Sequence, residues 1–225
     1  MAVDLQKIHG GREVIYAFFA KLFLEPVSEN EYKMIQEILP LLKNLEDISE
    51  TAGKEIEKLE DFINKYNSLK GKDLDEFKLD NLRAYTRIFA LTDSVPNSES
   101  YYTSLEHLVN QESREQVLKL YKNFGFDTDF HDSNEPEDFI AYELMFLSYL
   151  SRKTIRCMQD GKEDNYNIVI NAQKEFIKDH LLNYIDEFIN KMEIFEQAKI
   201  FYLPLTYFLR EYLKYDYEFL SSLNN

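Results

Sequence analysis

The chain has 225 residues, a formal charge of −15 and 44% hydrophobic residues, enough for a substantial core. Its acid excess argues against binding a phosphate backbone or docking on anionic lipid, both of which select Lys/Arg-rich surfaces. Six glycines and five prolines are too few for the turns of a strand-rich fold, and one cysteine, Cys157, excludes a disulfide framework within the chain.

Long helices joined by few loops are therefore expected. The opening "MAVDLQKIHGG" has no apolar signal-peptide core, and no window approaches the roughly 18 apolar residues of a membrane span. A soluble, cytoplasmic protein is the expectation. In "REVIYAFFAKLFLEP", Val14, Ile15, Phe18, Phe19, Leu22 and Phe23 recur at helical spacing, and Pro26 closes the helix. Ser28 and Glu31 are spaced as a capping box opening a second helix, with Met34, Ile35, Ile38 and Leu39 inward. A third helix, from about Ser49 to Tyr66, buries Ile56, Leu59, Phe62 and Ile63. "SLKGKDLDE" reads as a connector, and a fourth helix from about Phe77 to Leu91 carries Leu82, Tyr85, Ile88 and Phe89. "TDSVPNSESYYTS" reads as a loop, and a fifth helix runs from Ser113 to Gly125, a suitable residue just past a helix end. Two or three helices follow Gly161, and Pro204 should kink the last unless that helix starts beside it.

Between the loop "FDTDFHDSN" and Gly161 lies "NEPEDFIAYELMFLSYL" (134–150). Pro136 is expected in the first helical turn, with Glu135, Glu137 and Asp138 at the positive end of the helix dipole. The helix beyond is apolar nearly all round, so it should run through the centre of its domain. Glu143 on it needs a partner, such as Arg87 or Arg83, or a lining role in a groove, because an unpaired buried charge is costly. No Lys or Arg lies between Lys122 and Arg152, a window holding Asp127, Asp129, Asp132, Glu135, Glu137, Asp138 and Glu143. None lies between Arg87 and Arg114 either, where Asp93, Glu99, Glu106 and Glu112 stand. The two windows carry −11 and also hold Tyr101, Tyr102, Phe126 and Phe130, which look exposed. Acids beside apolar side chains suit a basic, greasy ligand; two solvated loops are the plain alternative.

Phosphate-cradling glycine motifs, H-E-x-x-H, Glu-x-x-His pairs and a G-x-S-x-G elbow are all missing. His9, His107, His131 and His180 are far apart and read as surface or capping residues, and Cys157 as a packed thiol. No catalytic constellation emerges and no metal ligands are assigned.

"EPEDFIAYELMFLSYL" resembles the TorD/DmsD-type chaperones of molybdenum enzymes, the redox enzyme maturation proteins. Their hallmark is E-P-x-D-H followed by E-L-x-F-[ML]. Glu135, Pro136, Asp138, Glu143, Leu144, Phe146 and Leu147 match it, and Phe139 stands where the hallmark has His. "AYTRIFALTDSVPNSESYY" is similar to a second element of the family through Tyr85, Ile88, Phe89, Pro96, Ser100 and Tyr101. "VLKLYKNFGF", "REVIYAFFAKLFLEPVSE" and "FIKDHLLNYIDEFINKM" resemble further pieces, so the likeness spans about Arg12 to Leu220.

The resemblance implies an all-α, TorD-like single domain over residues 1–225, a bundle of about 8–10 helices. It implies a cytoplasmic, non-enzymatic chaperone that binds the twin-arginine leader or the apo form of a molybdopterin oxidoreductase catalytic subunit, assists cofactor insertion and proofreads export. A monomer or helix-swapped dimer and weak GTP binding are also implied, with no other cofactor, no nucleic acid and no stable membrane insertion. The leader's guanidinium groups would pair with carboxylates, and its apolar run would lie in a hydrophobic groove. The leader-binding residues so implied are Tyr85, Ile88, Phe89, Pro96, Tyr101, Glu135, Pro136, Asp138, Phe139 and Glu143. On this reading Asp138→Ala weakens leader binding with little loss of thermal stability. Two other classes stay open: a small all-helical metal- or nucleotide-dependent hydrolase, and a helical interaction module with another client.

Overall fold

The computed structural model describes residues 4–128 and 135–223. All regular structure among them is helical; the one β-type pairing is an isolated antiparallel bridge between Ser98 and Phe139. The α-helices, in chain order, are α1 (Leu5–Leu24), α2 (Glu29–Lys43), α3 (Glu50–Ser68), α4 (Lys72–Tyr85), α5 (Glu99–Thr103), α6 (Glu112–Phe124), α7 (Ile140–Gln159), α8 (Glu163–Phe176), α9 (Leu182–Glu193) and α10 (Tyr202–Ser222). Two wide π turns extend them, Thr86–Ala90 after α4 and Ile177–Leu181 between α8 and α9. No helix among the described residues is long and apolar enough to cross a membrane.

The chain divides into two compact units. The first comprises residues 1–21, 97–184 and 216–225, the second residues 22–96 and 185–215.

In the second unit, Ser28 caps α2 through the predicted capping box with Glu31. Ile56, Leu59, Phe62 and Ile63 are all buried on α3, as their spacing predicts. An aromatic stack fills the interior: Tyr32 lies 4.0 Å from Tyr66, and Phe62 lies 4.5 Å from Phe201. α4 begins at Lys72, so most of the expected connector is helix. Gly71, at φ 57°, makes the sharp entry that Leu69 and Lys70 lead into. The inward stripe of α4 is Phe77, Asn81 and Ala84, leaving Leu82 44% exposed rather than buried. Tyr85 is half-buried and its hydroxyl donates to the Leu24 carbonyl at 2.9 Å. α10 starts two residues before Pro204, which therefore sits where a missing N–H does no harm.

In the first unit, α7 is the central helix. Ile140, Leu144, Phe146, Leu147 and Leu150 are each at most 1% exposed, and each apolar side chain so enclosed contributes roughly 1.5–3 kcal/mol. Gly125 ends α6 in the left-handed conformation (φ 74°), as its position in the sequence predicts. Cys157 is buried on α7. At the base of the unit Arg12 grips Asp216 bidentately, at 2.6 and 2.9 Å, and the Tyr16 hydroxyl donates to the same carboxylate at 2.5 Å.

Several expectations change. Val14 is 41% exposed, one position off the buried stripe of α1. The predicted loop after Thr92 contains α5. Tyr102 is buried, stacked 5.5 Å from Tyr184, whereas Tyr101 and Phe126 stay half-exposed. His9 and His180 are interior residues, not surface ones. Asp129, Phe130, His131 and Asp132 lie outside the described residues.

Candidate functional site

Pro136 does not open α7. The helix starts at Ile140, with Phe139 in extended conformation before it. Backbone pairing holds the preceding residues out of the helix: the Glu99 amide donates to the Asp138 carbonyl at 2.9 Å, and the Ile140 amide to the Asn97 carbonyl at 2.9 Å. Pro136 instead begins a tight turn, its carbonyl accepting the Phe139 amide at 3.0 Å. The acid-rich stretch is thus a strap zipped against residues 97–99.

The Asp138 side chain fastens that strap. Its Oδ2 accepts the Ser100 amide at 2.7 Å at the start of α5, and the residue is fully buried. Burial pushes its carboxyl upward, and the Ser100 hydrogen bonds act in the opposite sense. Ser100 and Asp138 belong to two separate stretches of the family resemblance, and the fold joins them. Asp138 therefore orders the loop. The expected stability-neutral Asp138→Ala does not fit this burial, since removing the acceptor strands a buried N–H.

Beneath the strap lies a second, deeper group. Glu143, on the first turn of α7, is fully enclosed and accepts the Tyr184 hydroxyl at 2.7 Å. Neither arginine expected to partner it does so: Arg83 pairs with Asp80, and Arg87 lies over the Phe195 ring. Glu99, 2% exposed, accepts from or shares a proton with His180 Nδ1 at 2.8 Å. One ligand atom from each of Glu99, Glu143 and His180 lies within 4.8 Å of the others. Burial first, then the facing Glu99 carboxylate, drives the Glu143 carboxyl well above its ordinary range. The phenols of Tyr121 and Tyr184 are raised likewise, by burial and then by Glu143.

The remaining predicted residues take distinct places. Glu137 is held bidentately by Arg114; burial raises its carboxyl, but the guanidinium more than offsets this, and the net shift is downward. Glu135 is exposed, and among the described residues no hydrogen bond or ion pair engages it. Phe139 is buried with its ring 5.3 Å from Tyr142, so an apolar side chain fills the hallmark His position. Tyr101 is half-buried, packed edge-on to Tyr102 at 5.1 Å. These residues lie in the first unit, with Asp138, Phe139 and Glu143 together at the start of α7. Tyr85, Ile88, Phe89 and Pro96 lie in the second unit, where Tyr85 and Phe89 are 5.3 Å apart and Ile88 is fully buried. Ile88 and Phe89 sit on the π turn after α4, a distortion that recurs at functional positions.

Sequence reasoning passed over Glu99 as a site residue, and over His180, Tyr184 and Tyr121. The available signal was the Glu99 position inside an acidic window and the i,i+4 spacing of His180 and Tyr184 in "HLLNY".

The family model described as nitrate reductase delta subunit matches residues 45–190. Curated relatives carry the name chaperone protein TorD. That of Vibrio cholerae serotype O1 is 25% identical over 200 residues, covering 87% of this chain and 86% of its own. That of Aliivibrio fischeri is 28% identical over 226 residues, covering 97% and 98%. A third, from Photobacterium profundum, is 28% identical over 160 residues, covering 64% and 71%. The match of the family model over more than half the chain, with relatives covered over most of their length, places the protein: it belongs to the nitrate reductase delta subunit family, among the TorD-type redox enzyme maturation proteins.

Proposed function

We propose that this protein is a cytoplasmic chaperone, not an enzyme, for the catalytic subunit of a molybdopterin oxidoreductase. It binds the subunit's twin-arginine leader and holds the apo form until cofactor is inserted. Family membership and the relatives' name as chaperones support the reading, and the net charge of −15 suits a basic client segment.

One observation carries the leader contact. Of the four acids in the strap and on the first turn of α7, Arg114 occupies Glu137, the Ser100 amide occupies Asp138, and Tyr184 occupies Glu143. Glu135 alone of the four is exposed and without a partner among the described residues, so it is the carboxylate left for a client guanidinium. The half-buried Tyr101 and Pro136 offer apolar surface on the same unit.

Calorimetric titration with a synthetic twin-arginine leader tests this. Glu135→Gln should weaken binding by about three- to fivefold and flatten its salt dependence, with melting unchanged. Wild-type affinity in the variant would remove Glu135 from the contact.

A further inference from the structure

Glu99 and Glu143 present carboxyl groups to each other inside the first unit, close enough to share a hydrogen bond, and no N–H or hydroxyl donor of the described residues reaches Glu143 Oε1. Two buried acceptors face to face require something positive between them. A shared proton would satisfy that pair, but it would leave two neighbours unserved. Asp138 Oδ1 and the Tyr121 hydroxyl are also buried without a hydrogen-bond partner among the described residues. Burial, and then the charges of Glu143, Asp138 and Glu99, raise the Tyr121 phenol, and its ring lies 6.5 Å from Phe176, which packs 4.7 Å from the His180 ring. A metal ion held by Glu99, Glu143 and His180 supplies the positive charge between the two carboxyl groups, and a water bound to it adds a hydrogen-bond donor inside the unit.

The donor set is right for such an ion. Ligands around one ion at about 2.0–2.2 Å stand roughly 3–4 Å apart. The His180–Glu99 separation of 2.8 Å and the 4.8 Å outer limit on the three ligand atoms bracket that range. One imidazole nitrogen with two carboxylates favours a late first-row divalent ion over Mg²⁺ or Ca²⁺, which prefer all-oxygen shells. His180 is buried on the π turn Ile177–Leu181. A surface groove of about 410 Å³ has His180 in its wall beside Leu120, Phe124 and Phe176, with Glu175 and Asp179 also lining it.

We infer that Glu99, Glu143 and His180 form a structural binding site for a Zn²⁺-class ion, clamping α5, α7 and the α8–α9 turn together. The site is enclosed, so its role is to fix these elements rather than to activate a substrate.

The full-length protein, stripped with chelator and dialysed, is titrated with Zn²⁺ and, as a spectroscopic stand-in, Co²⁺. One tight equivalent of Zn²⁺, a raised melting temperature and a Co²⁺ visible spectrum unlike that of the aqueous ion are expected. His180→Gln, which keeps a hydrogen-bonding group beside Glu99, should lose at least tenfold in affinity, with folding checked by circular dichroism. Failure of the wild type to take up one equivalent, an aquo-like Co²⁺ spectrum, or undiminished affinity in folded His180→Gln overturns the site. The wild-type arms decide the matter should the variant not fold.

Discussion

Two buried polar clusters in the first unit differ in how their charge is closed. Around Arg12 the account balances: one guanidinium faces one carboxylate, Asp216, in a bidentate pair, with the Tyr16 hydroxyl adding a donor and a neutral His9 accepting from Arg12 at 2.9 Å. Around Glu143 it does not, because three carboxylates (Glu99, Asp138, Glu143) share the region with one imidazole. The first arrangement is what a fold needs to join its chain ends, since Arg12 and Asp216 are 204 residues apart. The second gathers three carboxyl groups around one imidazole, and the inferred cation closes it.

The comparison can be broken most severely at Arg12. Arg12→Leu leaves Asp216 buried and uncompensated, and should lower the unfolding free energy by about 3–5 kcal/mol in urea denaturation. A loss below about 1 kcal/mol would show that Asp216 is closed by other donors.

The next effect is in pH. Burial, then the Arg12 charge, holds the His9 imidazole down at about 3. Arg12 only donates, so Nδ1 is the bare nitrogen. Tyr166 and Phe219 face the ring from α8 and α10, with Asp216 and Tyr16 beyond Arg12. The unfolded chain takes up the His9 proton near pH 6.5 and the folded one does not, so the folded state binds fewer protons. This contribution to stability is complete above pH 6.5 and is lost as pH falls toward 3. Roughly 2–3 kcal/mol should go between pH 6.5 and 4.5, and His9→Gln should remove that slope. Equal slopes in both proteins would place the proton uptake elsewhere.

The smallest effect sharpens the strap. Asp138→Ala, which strands the Ser100 amide, should cost about 2 kcal/mol, whereas Asp138→Asn, which retains an acceptor, should cost less than half as much in thermal melts. Equal losses would make charge, rather than acceptance, the feature that matters.

Much of the fold was legible in the sequence. The inward stripe of α3, the capping box at Ser28, the end of α6 at Gly125 and the start of α10 near Pro204 each follow from local chemistry. The family likeness led to Asp138 and Glu143. What was not legible is non-local. His180 meets Glu99 across 81 residues, through a π turn that shifts the helical register away from any 3.6-residue count. Pro136 was misplaced for the same reason: strand-like pairing with residues 97–99 overrides a local preference for a helix start.

That π turn gives the segment 177–181 an unusual intolerance of length change. It holds one residue beyond a regular turn. Deleting Ile177, Lys178 or Asp179 would let the helix close to normal pitch and swing the His180 side chain by about 100° around the axis. A polar substitution on the outer surface of α8 is a local matter, but a single lost codon here would turn the imidazole away from Glu99 while leaving the helix intact to spectroscopy.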